Sequence, residues 1–305
     1  MSLRITELNG PASIQDQGRF GHRHLGVGWQ GPMDRLAFES ANWLCGNPLP
    51  AAAIELGPGA LSLEFHQRGF VAYCGPAHQG ILARAGGEAP LYAGYRHQVS
   101  AGDRLTLRPT GEGLYGYLAI RGGIALPELL ASSSCDPALD RESLPFRPLR
   151  KGDRLPISPQ TAALPTAAAL GIRRYRTHLN FLPAPKTDAR RLRVRVSSSL
   201  SRMGVRLESG PPWPELASQP RPVFPGAIQL PADGQPIILT RGCQTTGGYP
   251  VIGYVVQPDL DDLAQALPGC RLTLSPCTLE EALRAGRRFQ GYRYLIKRGL
   301  YGDGP

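Results

Sequence analysis

At 305 residues the chain is too long for one ordinary core, so two domains or one large elaborated domain are expected. Hydrophobic residues at 42% can fill such cores, and 37 Gly with 30 Pro, in a chain without low-complexity runs, read as tight turns between many short strands rather than disorder. The net charge of +10 is spread along the chain apart from a modest cluster from Arg284 to Arg298, and no nucleic-acid motif accompanies it, so a solvated surface or recognition of small anions is expected and nucleic-acid binding is not.

The start, Met1-Ser2-Leu3-Arg4-Ile5, has no apolar signal core, and no apolar run is long enough to span a membrane; a cytosolic, cytoplasmic chain is expected. A polar turn between glycines, Ile14-Gln15-Asp16-Gln17-Gly18-Arg19-Phe20-Gly21, leads to Gly31-Pro32-Met33-Asp34. A helix is predicted from Met33 to Cys45, behind Pro32 at a first-turn position and stopped by Gly46-Asn47-Pro48. Strands follow at 61–65, 70–74, 104–107 and 114–120, several alternating apolar and polar residues as half-buried antiparallel strands do. The turn-plus-strand element Gly102-Asp103-Arg104-Leu105 returns as Gly152-Asp153-Arg154-Leu155, and Gly269-Cys270-Arg271-Leu272 is a third copy without the Asp. The least periodic stretch is Ser158 to Ala189, and a boundary near 175 divides the chain into 1–175 and 176–305. Beyond it come strands at 192–196, 236–239 and 251–256. Two helices follow: Asp259 to Leu267 with Leu260, Leu263, Ala264 and Leu267 on one face, then Thr278 to Ala285, opened by a capping box of Thr278 with Glu281 and closed by Gly286. The fold class is mostly β with a few short helices.

Six cysteines at 45, 74, 135, 243, 270 and 277 show no C-x-x-C pair and no metal spacing, so reduced, mostly buried thiols are expected. Cys243 sits inside a second glycine-rich stretch, Gly226-Ala227-Ile228-Gln229-Leu230-Pro231 through Gln244-Thr245-Thr246-Gly247-Gly248-Tyr249-Pro250. With no base visible beside it, Cys243 reads as structural.

The second stretch carries the strongest site signal. Gln229 and Gln244 offer both donor and acceptor, the pairing an amide, lactam or urea requires. Thr245 and Thr246 add hydroxyls, Gly247 and Gly248 can present consecutive N–H groups, and Tyr249 closes the run. The plainer reading is a glycine hairpin with a Thr cross-strand pair. At the first turn, Asp16 capping amides and pairing with Arg19 stands beside a role for Gln15 and Arg19 in holding a substrate carboxylate. Asp34 near a helix start is explained by the macrodipole, and His22 and His24 at i, i+2 make no metal signature. Arg121, ahead of Gly122-Gly123, either lines a pocket or pairs with an acid such as Glu55.

These stretches, with Ala41-Asn42-Trp43-Leu44-Cys45-Gly46-Asn47-Pro48, Tyr117-Leu118-Ala119-Ile120-Arg121-Gly122-Gly123-Ile124 and Ser201-Arg202-Met203-Gly204-Val205-Arg206-Leu207, resemble the biotin-dependent carboxyltransferase-like family, also called the allophanate hydrolase subunit 2 family, over nearly the whole chain. The resemblance implies two packed cyclophilin-like β-barrel subdomains, and it favours a substrate-binding role for Arg19 and, with it, Arg202. Bacterial stand-alone members look like the C component of 5-oxoprolinase, which works with partners resembling the enzyme's B and A components to open 5-oxoproline to glutamate with ATP. Fused members form the carboxyltransferase domain of urea carboxylase, moving CO2 from carboxybiotin to urea. Others resemble an antagonist of a histidine-kinase inhibitor. Lys151, Lys186 and Lys297 all lack the flanking Met of a biotin carrier, and there is no P-loop, so this chain alone is expected to bind neither cofactor. ATP is expected in the complex, or biotin on a partner in the carboxyl-transfer alternative. The length without a fused domain favours the oxoprolinase component, inactive alone and acting on a small amide or lactam. The chain departs from the family pattern at Gly242 and Cys243, where an Asp and a basic or polar residue are common, at Ser201 for Asp or Asn, and at Gln219 for Glu. These departures leave the catalytic acid or base unassigned.

Overall fold

The computed structural model describes residues 2–159, 163–185, 187, 190–208 and 219–302, and it is mostly β. The chain forms two compact units. The first contains Met1–Gly18, Arg35–Arg173 and Arg293–Pro305; the second contains Arg19–Asp34 and Arg174–Tyr292. Each unit is thus assembled from separate stretches of chain, an arrangement that one boundary near 175 does not express. No described helix is long and apolar enough to cross a membrane.

In the first unit the strands form two antiparallel sheets. One runs in the order Arg154–Pro156, Ser2–Asn9, Ala60–Phe65, Arg104–Pro109, His78–Arg84, Gly87–Leu91. The other runs Ala12–Gln15, Ala53–Leu56, Gly116–Ile120, Gly69–Cys74, Arg96–Val99. Alternate residues of both, among them Leu3, Ile5, Leu63 and Leu105 from the first and Ile14, Ile54, Val71 and Leu118 from the second, fill one shared core. The helix Arg35–Leu44 starts two residues later than its sequence suggests and sets Phe38 edge-on to Tyr117, with ring centres 6.0 Å apart. Its buried Glu39 accepts from Arg35 Nε at 2.8 Å and from Arg293 Nε and Nη2 at 2.6 Å each.

The second unit is a closed barrel of seven strands: His178–Pro183, Val251–Val255, Ala227–Gln229, Ile237–Leu239, Gly204–Glu208, Leu192–Leu200 and Arg271–Pro276. A parallel pairing of Arg271–Pro276 with His178–Pro183 closes it. Val205, Leu207, Ile228, Ile238 and Ile252 point into the barrel core. Their neighbours in sequence therefore point outward, because successive side chains in a strand alternate faces.

The repeated turn proves to be one geometry used three times. Gly102, Gly152 and Gly269 all take left-handed φ, at 86°, 93° and 82°. Their N–H groups donate to the carbonyls of Phe65, Ile5 and Val196, which fastens each turn to a neighbouring strand. In the first two copies the Asp carboxylate accepts from the backbone N–H three residues earlier, at 2.9 Å and 2.8 Å. Cys270 leaves that contact out and keeps the turn.

Two helix ends differ from expectation. The Asp259–Leu267 segment is a 3-10 turn, Gln257–Asp259, followed by the short helix Leu260–Ala264. Asp259 is occupied there with Asn180 and Arg176. The last helix opens with the expected capping box, Thr278 N and Oγ1 donating to Glu281 Oε2 and Glu281 N to Thr278 Oγ1. It does not stop at Gly286, however, but runs Leu279–Tyr301. A glycine inside an exposed helix costs only about 1 kcal/mol relative to alanine, and the Arg, Leu and Gln around it favour helix.

Candidate functional site

Four outward positions line up across neighbouring strands of the barrel. Arg206 is registered with Ile237, Ile237 with Gln229, and Gln229 with Val251. Directly opposed residues share a face, so these side chains stand in one row on the barrel's outer wall. Over that wall folds a two-stranded ribbon in which Arg221–Pro222 pairs with Thr246–Gly247. Val223, Ala227, Leu239, Cys243 and Val251 form a small apolar layer beneath it. A cavity of about 340 Å³ opens along the row. Its lining includes Gln229, Gln244, Tyr249, Arg206, Ser201 and Met203.

Gln229 is 2% exposed, and its amide nitrogen has no hydrogen-bond partner among the described residues. A buried amide left unpaired costs about 1–3 kcal/mol. Gly247 explains how the amide fits. A Cβ placed there would lie 2.3 Å from Gln229 Nε2 and 3.1 Å from Val223 Cγ1. Glycine is needed at 247 for this close approach and not for a left-handed backbone, since its φ is ordinary. At Gly248 nothing lies within 4 Å and φ is also ordinary, so no packing requires a glycine there.

The 19–34 stretch, which belongs to this unit, fixes the second motif from behind. Arg23 Nη2 donates to the carbonyls of Val223 and of Gln244, the latter at 2.9 Å. The Arg23 guanidinium is also stacked between Trp29 and Phe224, 5.2 and 5.1 Å from the ring centres. Arg202 Nη2 donates to the Gly31 carbonyl at 2.5 Å. The Arg202 carbonyl in turn accepts from Gly242 N at 2.7 Å and Thr240 Oγ1 at 2.6 Å. A Cβ at position 242 would meet Arg202 O at 3.0 Å, so this loop closes tightly around Gly242, the first of the expected departures. Ser201, a second departure, lines the cavity, and its Oγ accepts from Met203 N at 3.1 Å. Gln219, the third, is exposed.

The cavity thus collects Gln229, Gln244 and Tyr249, with Gly247 against Gln229. Thr245 and Thr246 run in the ribbon, where Thr245 O accepts from Val223 N at 3.0 Å. Arg202 reaches a backbone carbonyl and is not part of the lining, and Arg19 is buried where the 19–34 stretch begins. Gln15 and Arg121 belong to the first unit. Gln15 is buried, donating to Ser13 Oγ at 2.9 Å, and Arg121 lies over the Phe70 ring at 5.8 Å. Asp16 accepts from Gly18 N, Ser133 N and the hydroxyls of Ser132 and Ser134, at 2.6–2.8 Å, which extends the expected capping role. Asp34 is more than a helix-start charge: it is fully buried and accepts from Tyr175 OH at 2.6 Å and Gln265 Nε2 at 2.9 Å. Cys243 is buried, and burial pushes its thiol pKa up despite Arg23 nearby. Among the described residues no group of three His, Cys, Asp or Glu could hold a metal ion.

Arg206 lies in the Ser201–Leu207 stretch but is not among the expected site residues, and it enters the site through the fold. Its signal is that it stands alone between the inward Val205 and Leu207, on the outward side of its strand. Asp233, in the turn after Gln229, forms an ion pair with it.

Residues 25–276 match the family model described as carboxyltransferase domain, subdomain A and B. Over 303 residues the chain is 35% identical to the C component of the 5-oxoprolinase of Escherichia coli strain K12, covering 95% of this chain and 96% of that protein. It is 33% identical to the C component of the Haemophilus influenzae 5-oxoprolinase, covering 97% and 98%. In fold it is similar to the crystal structure of the Kluyveromyces lactis urea carboxylase, with a TM-score of 0.82 at 23% identity. That match covers 99% of this chain but only 29% of the larger protein.

Proposed function

This chain belongs to the carboxyltransferase-domain family, subdomains A and B, and we propose that within it the chain is one component of a multi-protein 5-oxoprolinase that opens 5-oxoproline to glutamate. The names of the two bacterial relatives support this reading over almost their full length. The observation that carries it on the structural side is Gln229, a buried amide whose nitrogen lacks a partner among the described residues, beside Gln244 in one cavity. Two primary amides offer both a donor and an acceptor to the C=O and N–H of a lactam.

The chemistry is divided between chains in this proposal. Among the described lining residues there is no carboxylate, imidazole or thiol, so the cavity holds and orients an amide without a group that moves protons near neutrality. Partners resembling the A and B components of 5-oxoprolinase supply that group and the ATP site, and the assembly is cytoplasmic. The test is reconstitution with ATP. Glutamate release is expected only when all three components are combined. Hydrolysis by the isolated chain, or full activity of the partners without it, would overturn the proposal. The carboxyl-transfer alternative rests on the family model's own description, and CO2 transfer from a carboxylated biotin carrier to urea in the chain's presence would support it instead.

A further inference from the structure

We propose that Arg206 is the carboxylate-recognising residue of the cavity, and that Asp233 occupies its guanidinium until a ligand carboxylate replaces it. This rests on the lactam reading of the cavity and deepens it by assigning the second half of the substrate.

The row on the barrel wall sets the dimensions. Arg206 and Gln229 flank Ile237 on the two adjacent strands. Two strand steps separate them by about 10 Å. The spacing is that of the backbones, and both side chains leave the same face, so a small ligand lying over Ile237 can meet both. Ile237 supplies an apolar floor between the two polar ends, and Leu239, Met203 and Tyr249 supply further apolar contact. The molecule that fits this order is compact, with an amide at one end, a hydrocarbon edge in the middle and an anion at the other.

Arg206 is the one cation among the described lining residues, and its planar fork suits a carboxylate. Arg202, the arginine that the sequence motif puts forward, sends its guanidinium to the Gly31 carbonyl instead. The Arg206–Asp233 pair is partly open to solvent, with the two side chains 31% and 51% exposed. An exposed pair of this kind is weak, so a ligand carboxylate exchanges for Asp233 at little cost. Asp233 also accepts from Gln235 N at 3.1 Å, which keeps its turn in place when the guanidinium is released.

Calorimetric titration of the purified chain with 5-oxoproline and with 2-pyrrolidinone, the same lactam without the carboxylate, tests this. The wild-type chain is expected to prefer 5-oxoproline several-fold, the difference between a bidentate ligand pair and the weaker Asp233 pair that it replaces. Arg206→Gln should remove that preference and leave 2-pyrrolidinone binding unchanged, while Asp233→Asn should tighten 5-oxoproline several-fold. Discrimination that survives in Arg206→Gln, or equal binding of both ligands by the wild type, overturns the assignment of Arg206 alone. If neither ligand binds the wild-type chain, the lactam reading fails and Arg206 falls with it.

Discussion

Gly247→Ala isolates the contact on which the site depends. The added Cβ would lie 2.3 Å from Gln229 Nε2, whereas ordinary non-bonded separations are about 3.5–4.0 Å. Val223 Cγ1, at 3.1 Å and fully buried, blocks retreat in its direction. The Gln229 head therefore moves by roughly 1 Å or more, enough to break any hydrogen bond it makes to a ligand. No hydrogen bond from Nε2 to a described residue is lost in that movement. The stability cost should sit at the low end of overpacking, about 1 kcal/mol. The ligand should lose about 1–3 kcal/mol, roughly ten- to a hundredfold in affinity. A double-mutant cycle with Gln229→Ala makes this sharp. Without the glutamine head the new methyl crowds only Val223, so the double variant should bind 5-oxoproline as Gln229→Ala does, a strong departure from additivity. Calorimetric affinities and melting temperatures for the four proteins give the answer. Additive losses, or a Gly247→Ala protein that melts early yet binds normally, would refute the reasoning.

Gly248→Ala should leave the melting temperature unchanged or raise it slightly, since nothing crowds the position and φ is ordinary; a fall in turnover at unchanged stability would mark its backbone as a ligand contact. Arg293→Ala strips the fork from Glu39, a fully buried carboxylate, and should cost about 3–5 kcal/mol in denaturant titrations. His78 accepts from or donates to Tyr73 OH at 3.0 Å and donates to the carbonyls of Gly57 and Gly59 at 3.1 and 3.0 Å. Burial holds its pKa below the usual histidine range even though those carbonyls favour the proton. The unfolded chain therefore binds the proton first, and the stability this histidine contributes is present above about pH 6.5 and declines as pH falls below it. Unfolding free energies measured from about pH 7.5 to 5, a window that spans the ordinary histidine pKa, should show that decline, and it should flatten in His78→Gln.

Much of the architecture is legible because it follows from alternation. The strands at 61–65, 70–74, 104–107, 192–196 and 251–256 are found within a residue or a few of their expected limits. The first strand, Ser2–Asn9, alternates as well, yet its Thr6-Glu7 irregularity, where the pairing register shifts, blurs the pattern. Chain exchange between units was not legible. Residues 19–34 carry glycines, aromatics and arginines without a period, and only tertiary contacts such as Arg23 with the Gln244 carbonyl say where they belong. The same limit applies at the site. Composition pointed to Gln229 and Gln244, because an amide pair among glycines is visible as a run of letters. Arg206 required the strand register, which places it one strand from Ile237 and two from Gln229. Arg202, expected beside Arg19 at the substrate, sends its guanidinium to the Gly31 carbonyl and holds backbone instead.

The central claim, that Gln229 and Gln244 grip the lactam, is tested most directly by the side-chain amide resonances of those two glutamines in a ¹⁵N-labelled chain titrated with 5-oxoproline. Both NH2 pairs should shift and saturate together, with the Gln229 pair moving most because its nitrogen gains a partner that no described residue supplies. Unmoved resonances at ligand concentrations that saturate turnover by the reconstituted complex would contradict the account.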